Sequence, residues 1–246
     1  MTIENRILTN FTMTATRTIC LIVNLCLMTQ TVMAEKPLDL LLRGGTIVDG
    51  TGNAWFKGDV GIRGDRIARI ARHIDEPATR EIDAANLVVA PGFIDIHSHS
   101  DYLLLEDGNA RSKITQGVTT EVLGEGRSPG PYQGKLGRKS AVVDGTTIVW
   151  SSLKDYFNIV EQAGVATNVA SYVGLDNVWQ CVMGQSFERP SPKQIGEMKQ
   201  LVDAAMKDGA LGLSCQVMMP PGSLATTDDI VELCKVVAQH RGIYST

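Results

Sequence analysis

The chain has 246 residues, 43% of them hydrophobic and 20% charged, with a formal net charge of −4. That composition describes a globular chain with room for one large domain, or for a large one and a small one. The mild acidity argues against a nucleic-acid binder, which usually shows a basic face, and no run of like charge marks a polybasic membrane patch.

Residues 19–28, ICLIVNLCLM, are almost wholly apolar; Arg17 precedes them and Val32-Met33-Ala34 follows. A positive n-region, a short h-region and a small residue before the cut predict a secretory signal peptide over 1–34, cleaved after Ala34. The run is shorter than the roughly 20 residues of a spanning helix. A buried N-terminal helix is the alternative, and Met13 as the start would make the n-region more compact. Export to the periplasm or medium follows. Cys26 lacks a lipoprotein cleavage box, so no stable membrane anchor is expected after cleavage. Cys181, Cys215 and Cys234 remain, too few for a disulfide scaffold, and Cys181 and Cys234 read as buried thiols.

Residues 35–90 read as a small β domain. Turns are predicted at Gly44-Gly45, at Gly50-Thr51-Gly52 and at Gly64-Asp65, between short alternating strands. No Gly-Lys-Ser/Thr follows these glycines, so they form no phosphate loop. His73 reads as a solvated surface residue.

From residue 87 the rhythm changes. NLVVAPGFIDIH predicts a strand buried on both faces. ARSKITQG is a short helix closed by Gly117, and GVTTEVLG is the next strand. SSLKDYFNIVEQAG is a helix capped by Ser152 with Asp155 three residues on. GVATNVASYVG is a third strand. SPKQIGEMKQLVDAAMKDG is a helix with Ser191 as cap, Pro192 in the first turn and Gly209 at its end. ALGLSCQV is a fourth strand, TTDDIVELCKVVAQHRG a helix with Thr227 as N-cap, and GIYST opens a fifth strand. Strand–helix alternation of this kind means a parallel sheet with crossover helices, either an open doubly wound sheet or a (βα)8 barrel. A barrel takes about 250 residues. Residues 91–246 therefore fit the first half of one, about four βα units, and the chain reads as a fragment of a longer protein.

The chemistry concentrates in PGFIDIHSHSD, residues 91–101. Strand residues two apart point the same way, so His97 and His99 present their rings together, about 6–7 Å apart along the strand. They stand at the C-terminal end of a strand, where barrels place their active sites, and two neutral imidazoles suit Zn2+. Two ordinary loop histidines are the alternative. Asp95 lies deeper on the same parity and predicts packing or hydrogen bonding. Asp101 either orients a ligand histidine or is a loop-surface residue. Met218 and Met219 are candidate pocket walls, Cys215 reads as a packed thiol, and His240 sits in the last turn of a helix.

APGFIDIHSHSD, following a Gly-rich β region, resembles the amidohydrolase superfamily. QGVTTEVLGEG, NVASYVG, DGALGLSCQVMMPPGSLAT and GIYST are similar, in order, to its D-aminoacylase branch, from about residue 38 to the end. The resemblance implies a small β domain, a (βα)8 barrel, and one or two zinc ions that activate water to attack the amide of a small molecule, most plausibly an N-acyl-D-amino acid. It implies that His97 and His99 are ligands, that further ligand histidines lie on strands five and six, and that the proton-moving carboxylate lies past Thr246. Where the branch commonly carries a ligand cysteine in Asn-Cys-Gly, this chain has GEGRS. With a one-residue gap Glu125 takes that position, and without it Gly126 does; Glu125 is the expected third ligand, with a hydrogen-bonding role at the barrel mouth as the alternative. Glu121, about 13 Å deeper along the strand, is not expected to reach the same ion. Rival activities are a cyclic-amide hydrolase of the dihydroorotase or hydantoinase type, disfavoured by the absence of lysine in LGLSCQV, and a deaminase. An inactive fragment or a non-catalytic binding protein is the remaining alternative. Oligomeric state is not legible.

Overall fold

The computed structural model describes residues 36–246. The expected signal peptide, with Cys20 and Cys26, lies outside the described residues. Among the described residues no helix is long and apolar enough to cross a membrane. The chain divides into two compact units between Pro91 and Gly92.

In the first unit a five-stranded sheet is built on β1 (Leu38–Ile47). β2 (Phe56–Arg63) pairs antiparallel with β1 and with β3 (Arg66–Ala71), across the predicted Gly64-Asp65 turn. β4 (Ala78–Asp83) and β5 (Val88–Val89) run parallel to β1. The turn expected at Gly44-Gly45 is instead a bulge inside β1, where the register shifts between Leu42 and Gly45 and Gly44 takes φ +68°. Glycine adopts that left-handed conformation without strain, so the strand kinks and continues. The buried Asp59 receives the bulge: its Oδ1 accepts the Gly44 N–H at 2.8 Å and its Oδ2 the Ile74 N–H at 3.0 Å. His73 keeps an exposed ring, with Nδ1 3.3 Å from Asp59 Oδ2.

The second unit carries the expected parallel strands. β6 (Phe93–Ser98), β7 (Val118–Leu123) and β10 (Asn168–Ser171) form one three-stranded sheet. β11 (Val173–Gly174), β12 (Gly212–Ser214) and β13 (Ile243–Ser245) form another. Only Tyr172 separates β10 from β11, so neighbouring parallel strands follow one another in chain order, without reversal.

Short helices α1 (Leu103–Glu106) and α2 (Arg111–Ile114) link β6 to β7. α3 (Leu153–Ala163), α4 (Leu175–Met183), α5 (Pro192–Lys207) and α6 (Thr227–Gln239) supply the longer crossovers. Capping boxes open α3 at Ser152/Asp155 and α5 at Ser191/Gln194. The cap of α6 is Thr226, not Thr227, because Asp229 is three residues from Thr226 and reaches back to its N–H at 2.9 Å.

Two elements go beyond the sequence reading. A hairpin, β8 (Lys139–Val143) with β9 (Thr146–Trp150), turns on Asp144-Gly145, both at positive φ. Asp-Gly between alternating residues is a hairpin signal that was present in the sequence. Helix α4 had no such signal: its N-cap is Gly174, with no side-chain cap, and most of its residues are buried, which erases the amphipathic period.

One expectation fails. NLVVAPGFIDIH is not one continuous strand. It divides into β5 and β6, and Phe93, Ile94 and Ile96 are 63%, 61% and 70% exposed. Among the described residues β6 pairs with β7 alone.

The main core joins Val173, Val178, Trp179, Met198, Val202 and Leu213; a second gathers Leu104, Leu123, Tyr132, Trp150 and Tyr156. Replacing Asp59 by alanine would strand two backbone N–H groups, and is expected to lower stability by about 2–3 kcal/mol, measured by chemical denaturation.

Candidate metal centre

β6 brings His97 and His99 together. Their Nε2 atoms lie 3.1 Å apart and their ring centroids 5.0 Å apart, closer than simple strand spacing predicts. Two nitrogens bound to one tetrahedral zinc at about 2.0–2.1 Å stand roughly 3.3 Å from each other, so the pair presents a bite of the right size.

Beneath the histidines lies Glu121 of β7, with no exposed surface. Its Oε2 accepts from Ser98 Oγ at 2.7 Å and Ser100 Oγ at 2.5 Å, and its Oε1 from Thr167 Oγ1 at 3.0 Å. Lys113 Nζ stands 3.6 Å from Oε2, donates to Ser98 Oγ at 3.3 Å and pairs closely with Asp95. Burial pushes the Glu121 carboxyl up, but the hydroxyl donors and Lys113 outweigh it and hold it below its ordinary value. Asp95 is held below its own by the Lys113 hydrogen bond, and its Oδ1 accepts the His97 N–H at 3.2 Å. The sequence reading placed Glu121 away from the metal and gave it no role. The signal it passed over is the interleaving of His-x-His with Ser-x-Ser in HSHS.

Glu125 follows β7 in a buried loop, 7% exposed, and its Oε1 accepts from Ser245 Oγ at 2.6 Å. Ser214 Oγ of β12 accepts the Gly126 N–H at 2.9 Å and donates to the Gly124 carbonyl. Gly126 has φ +73°, and a Cβ there would meet Gln216 at 2.6 Å. Glu125 is thus the residue of the pair that lines a cavity of about 500 Å³, together with His97, Tyr172, Cys215, Met218 and Ser245.

The expected trio is not drawn into one coordination sphere. His99 borders a different cavity, with Ser98, Ser100, Lys113 and Glu121. Among the described residues no three His, Cys, Asp or Glu side chains converge closely enough to hold a metal ion. The reason is local: the Glu125 carboxylate is held toward the end of β13 by Ser245, and its loop is pinned by Ser214. The donors themselves, two imidazoles in contact and a carboxylate on the same cavity as one of them, fit a divalent ion such as zinc.

Asp101 is half-buried, and its backbone carbonyl accepts from Tyr156 Oη at 2.8 Å. Burial pushes its carboxyl up, against the attraction of His99, Lys139 and Arg127. Neither imidazole donates to that carboxylate among the described residues, so the expected orienting contact is not formed. Cys215 is buried, which pushes its thiol up to about 11 and leaves it a neutral packing group. His240 ends α6 with Nε2 2.8 Å from Asp203 Oδ1, tying α6 to α5.

Residues 80–218 match the amidohydrolase family. The D-aminoacylase of Alcaligenes xylosoxydans xylosoxydans is 36% identical over 215 residues, which are 86% of this chain and 44% of that protein. Among solved structures, the N-acyl-D-glutamate deacylase of Bordetella bronchiseptica, complexed with zinc and a phosphonate mimic of the tetrahedral intermediate, matches with a TM-score of 0.75 at 33% identity, over 85% of this chain and 45% of that one. A D-aminoacylase examined for its binuclear metal centre matches with a TM-score of 0.74 at 35% identity, over the same shares. The mixed α/β fold is that of these deacylase structures, and the chain spans a little under half their length.

The Glu125 loop also leans on Asp176 of α4, whose N–H donates to the Gly126 carbonyl at 3.1 Å. Its Oδ1 is buried without a protein partner, and burial pushes the carboxyl up to about 6, with Arg127 opposing. A carboxyl raised in the folded state binds more protons there than in the unfolded chain, so stability falls as pH rises from about 4 to about 6. Asp176→Asn is expected to flatten that slope and to raise stability at pH 7 by roughly 2 kcal/mol, measured by urea unfolding across pH.

Proposed function

The chain belongs to the amidohydrolase family, and on that premise we propose that it carries the first half of a metal-dependent hydrolase cleaving non-peptide C–N amide bonds, with N-acyl-D-amino acids as the substrate class. The observation that carries this reading is the His97–His99 pair, Nε2 to Nε2 at 3.1 Å, at the C-terminal end of a parallel strand. The unreversed order of the parallel strands supports about four βα units of a (βα)8 barrel over 91–246, after a β domain at 35–90. The apolar run at 19–28 supports a signal peptide at 1–34 and export.

His97 and His99 would hold zinc through neutral ring nitrogens, with Glu125, which lines the same cavity as His97, as the carboxylate to join them. The chemistry such an ion supplies is Lewis acidity, which polarises a carbonyl and activates water at neutral pH. Tyr172, Cys215, Met218 and Met219 wall the cavity beside His97 and provide apolar surface for the acyl chain. The cyclic-amide alternative draws less support, because β12 and Cys215 bring no lysine to the mouth.

The whole protein is expected to retain zinc after dialysis, and His97→Asn and His99→Asn each to abolish retention, read by elemental analysis. The whole protein is expected to release acetate from N-acetyl-D-amino acids in preference to their L-enantiomers and to hydantoins. Whole protein that takes up no zinc, or that prefers hydantoin, would overturn the reading.

A further inference from the structure

His97 lies where the sheet gives it least support. Between Asp95 and Ser98 the β6–β7 register slips: Asp95 faces Glu121 and Ser98 faces Leu123, so three steps on β6 answer two on β7. This is a bulge, which re-aims side chains and leaves a residue out of the ladder. β6 ends at Ser98, so His99 and Ser100 lie beyond the last strand residue. Ladder hydrogen bonds therefore do not set how the two rings face each other.

Side-chain contacts replace them. The His97 N–H is taken by Asp95 Oδ1 at 3.2 Å. The residues on either side of His99 both send their hydroxyls to one oxygen, Glu121 Oε2, at 2.7 and 2.5 Å. Those hydroxyls also touch each other at 3.0 Å, which holds the backbone turn between them closed. Lys113 ties Asp95, Ser98 and Glu121 into one group. Two carboxylates against one ammonium leave one net negative charge beneath the histidines, on the side away from solvent, and that charge favours a cation above them.

We propose that Glu121 is a positioning residue, which sets the separation and facing of His97 and His99 through the hydroxyls of Ser98 and Ser100. The assignment rests on the metal-centre reading above for its purpose, but the ring geometry can be read without metal.

The test uses the full chain, with Glu121→Gln, Ser100→Ala and Ser100→Thr. Co2+ titration followed by visible absorption reads metal affinity and coordination geometry. Ring-to-ring nuclear Overhauser contacts in the metal-free protein read the His97–His99 pairing, and thermal melts check folding. Glu121→Gln and Ser100→Ala are expected to weaken Co2+ binding by about 10–100-fold, to change the absorption band and to weaken the ring contact. Ser100→Thr, which keeps the hydroxyl, is expected to restore all three. Wild-type Co2+ affinity and an intact ring contact in folded Ser100→Ala would overturn the proposal, and that variant decides the matter if Glu121→Gln fails to fold. Wild-type chain that binds no Co2+ would count against the metal-centre reading instead, while the ring contact in Ser100→Ala would still decide the role of Glu121.

Discussion

A carboxylate with no exposed surface stays charged inside a sheet only if its oxygens are occupied by donors. Glu121 meets that condition with three hydroxyls and a lysine drawn from the end of β6 and just beyond it, from α2 and from the residue just before β10. The requirement runs both ways. Satisfying Glu121 means that Ser98, Ser100 and Thr167 must arrive at one point, and their arrival aligns the three strands of this sheet at the end where the histidines stand. The same alignment turns Ser98 and Ser100 inward and leaves the imidazoles on the other side. Strand register and the facing of the histidine pair thus have one physical cause.

The loop after β7 is held by a different device, close backbone approach. A Cβ on Gly174 would fall 2.2 Å from the Gly126 carbonyl oxygen, and one on Gly124 would fall 2.5 Å from that of Tyr172. Glycine at both positions lets the loop press onto the β10–β11 connection, where Ser214 and the Asp176 N–H take its polar groups. With the loop seated so, Glu125 is buried and directed to the His97 cavity, where Ser245 occupies one of its oxygens. Glu125 and the histidines are thus positioned by separate parts of the fold. This explains why all three border the same end of the unit without forming a single cluster.

By itself the sequence determined the features that depend on near neighbours. Strand–helix alternation, the capping boxes at Ser152/Asp155 and Ser191/Gln194, and the shared side of His97 and His99 are all short-range. The similarity of ordered segments to one family was legible for the same reason, since each segment keeps its own local pattern. Only the tertiary structure decided the rest. It buried Glu121 under hydroxyls 23 and 46 residues away, pinned the Gly124 carbonyl from 90 residues away, and engaged Glu125 from 120 residues away. It also placed the bulge at His97, which turns on how β6 registers with β7. A residue's burial and the partners it meets are properties of strands far apart in the chain, and no local period encodes them.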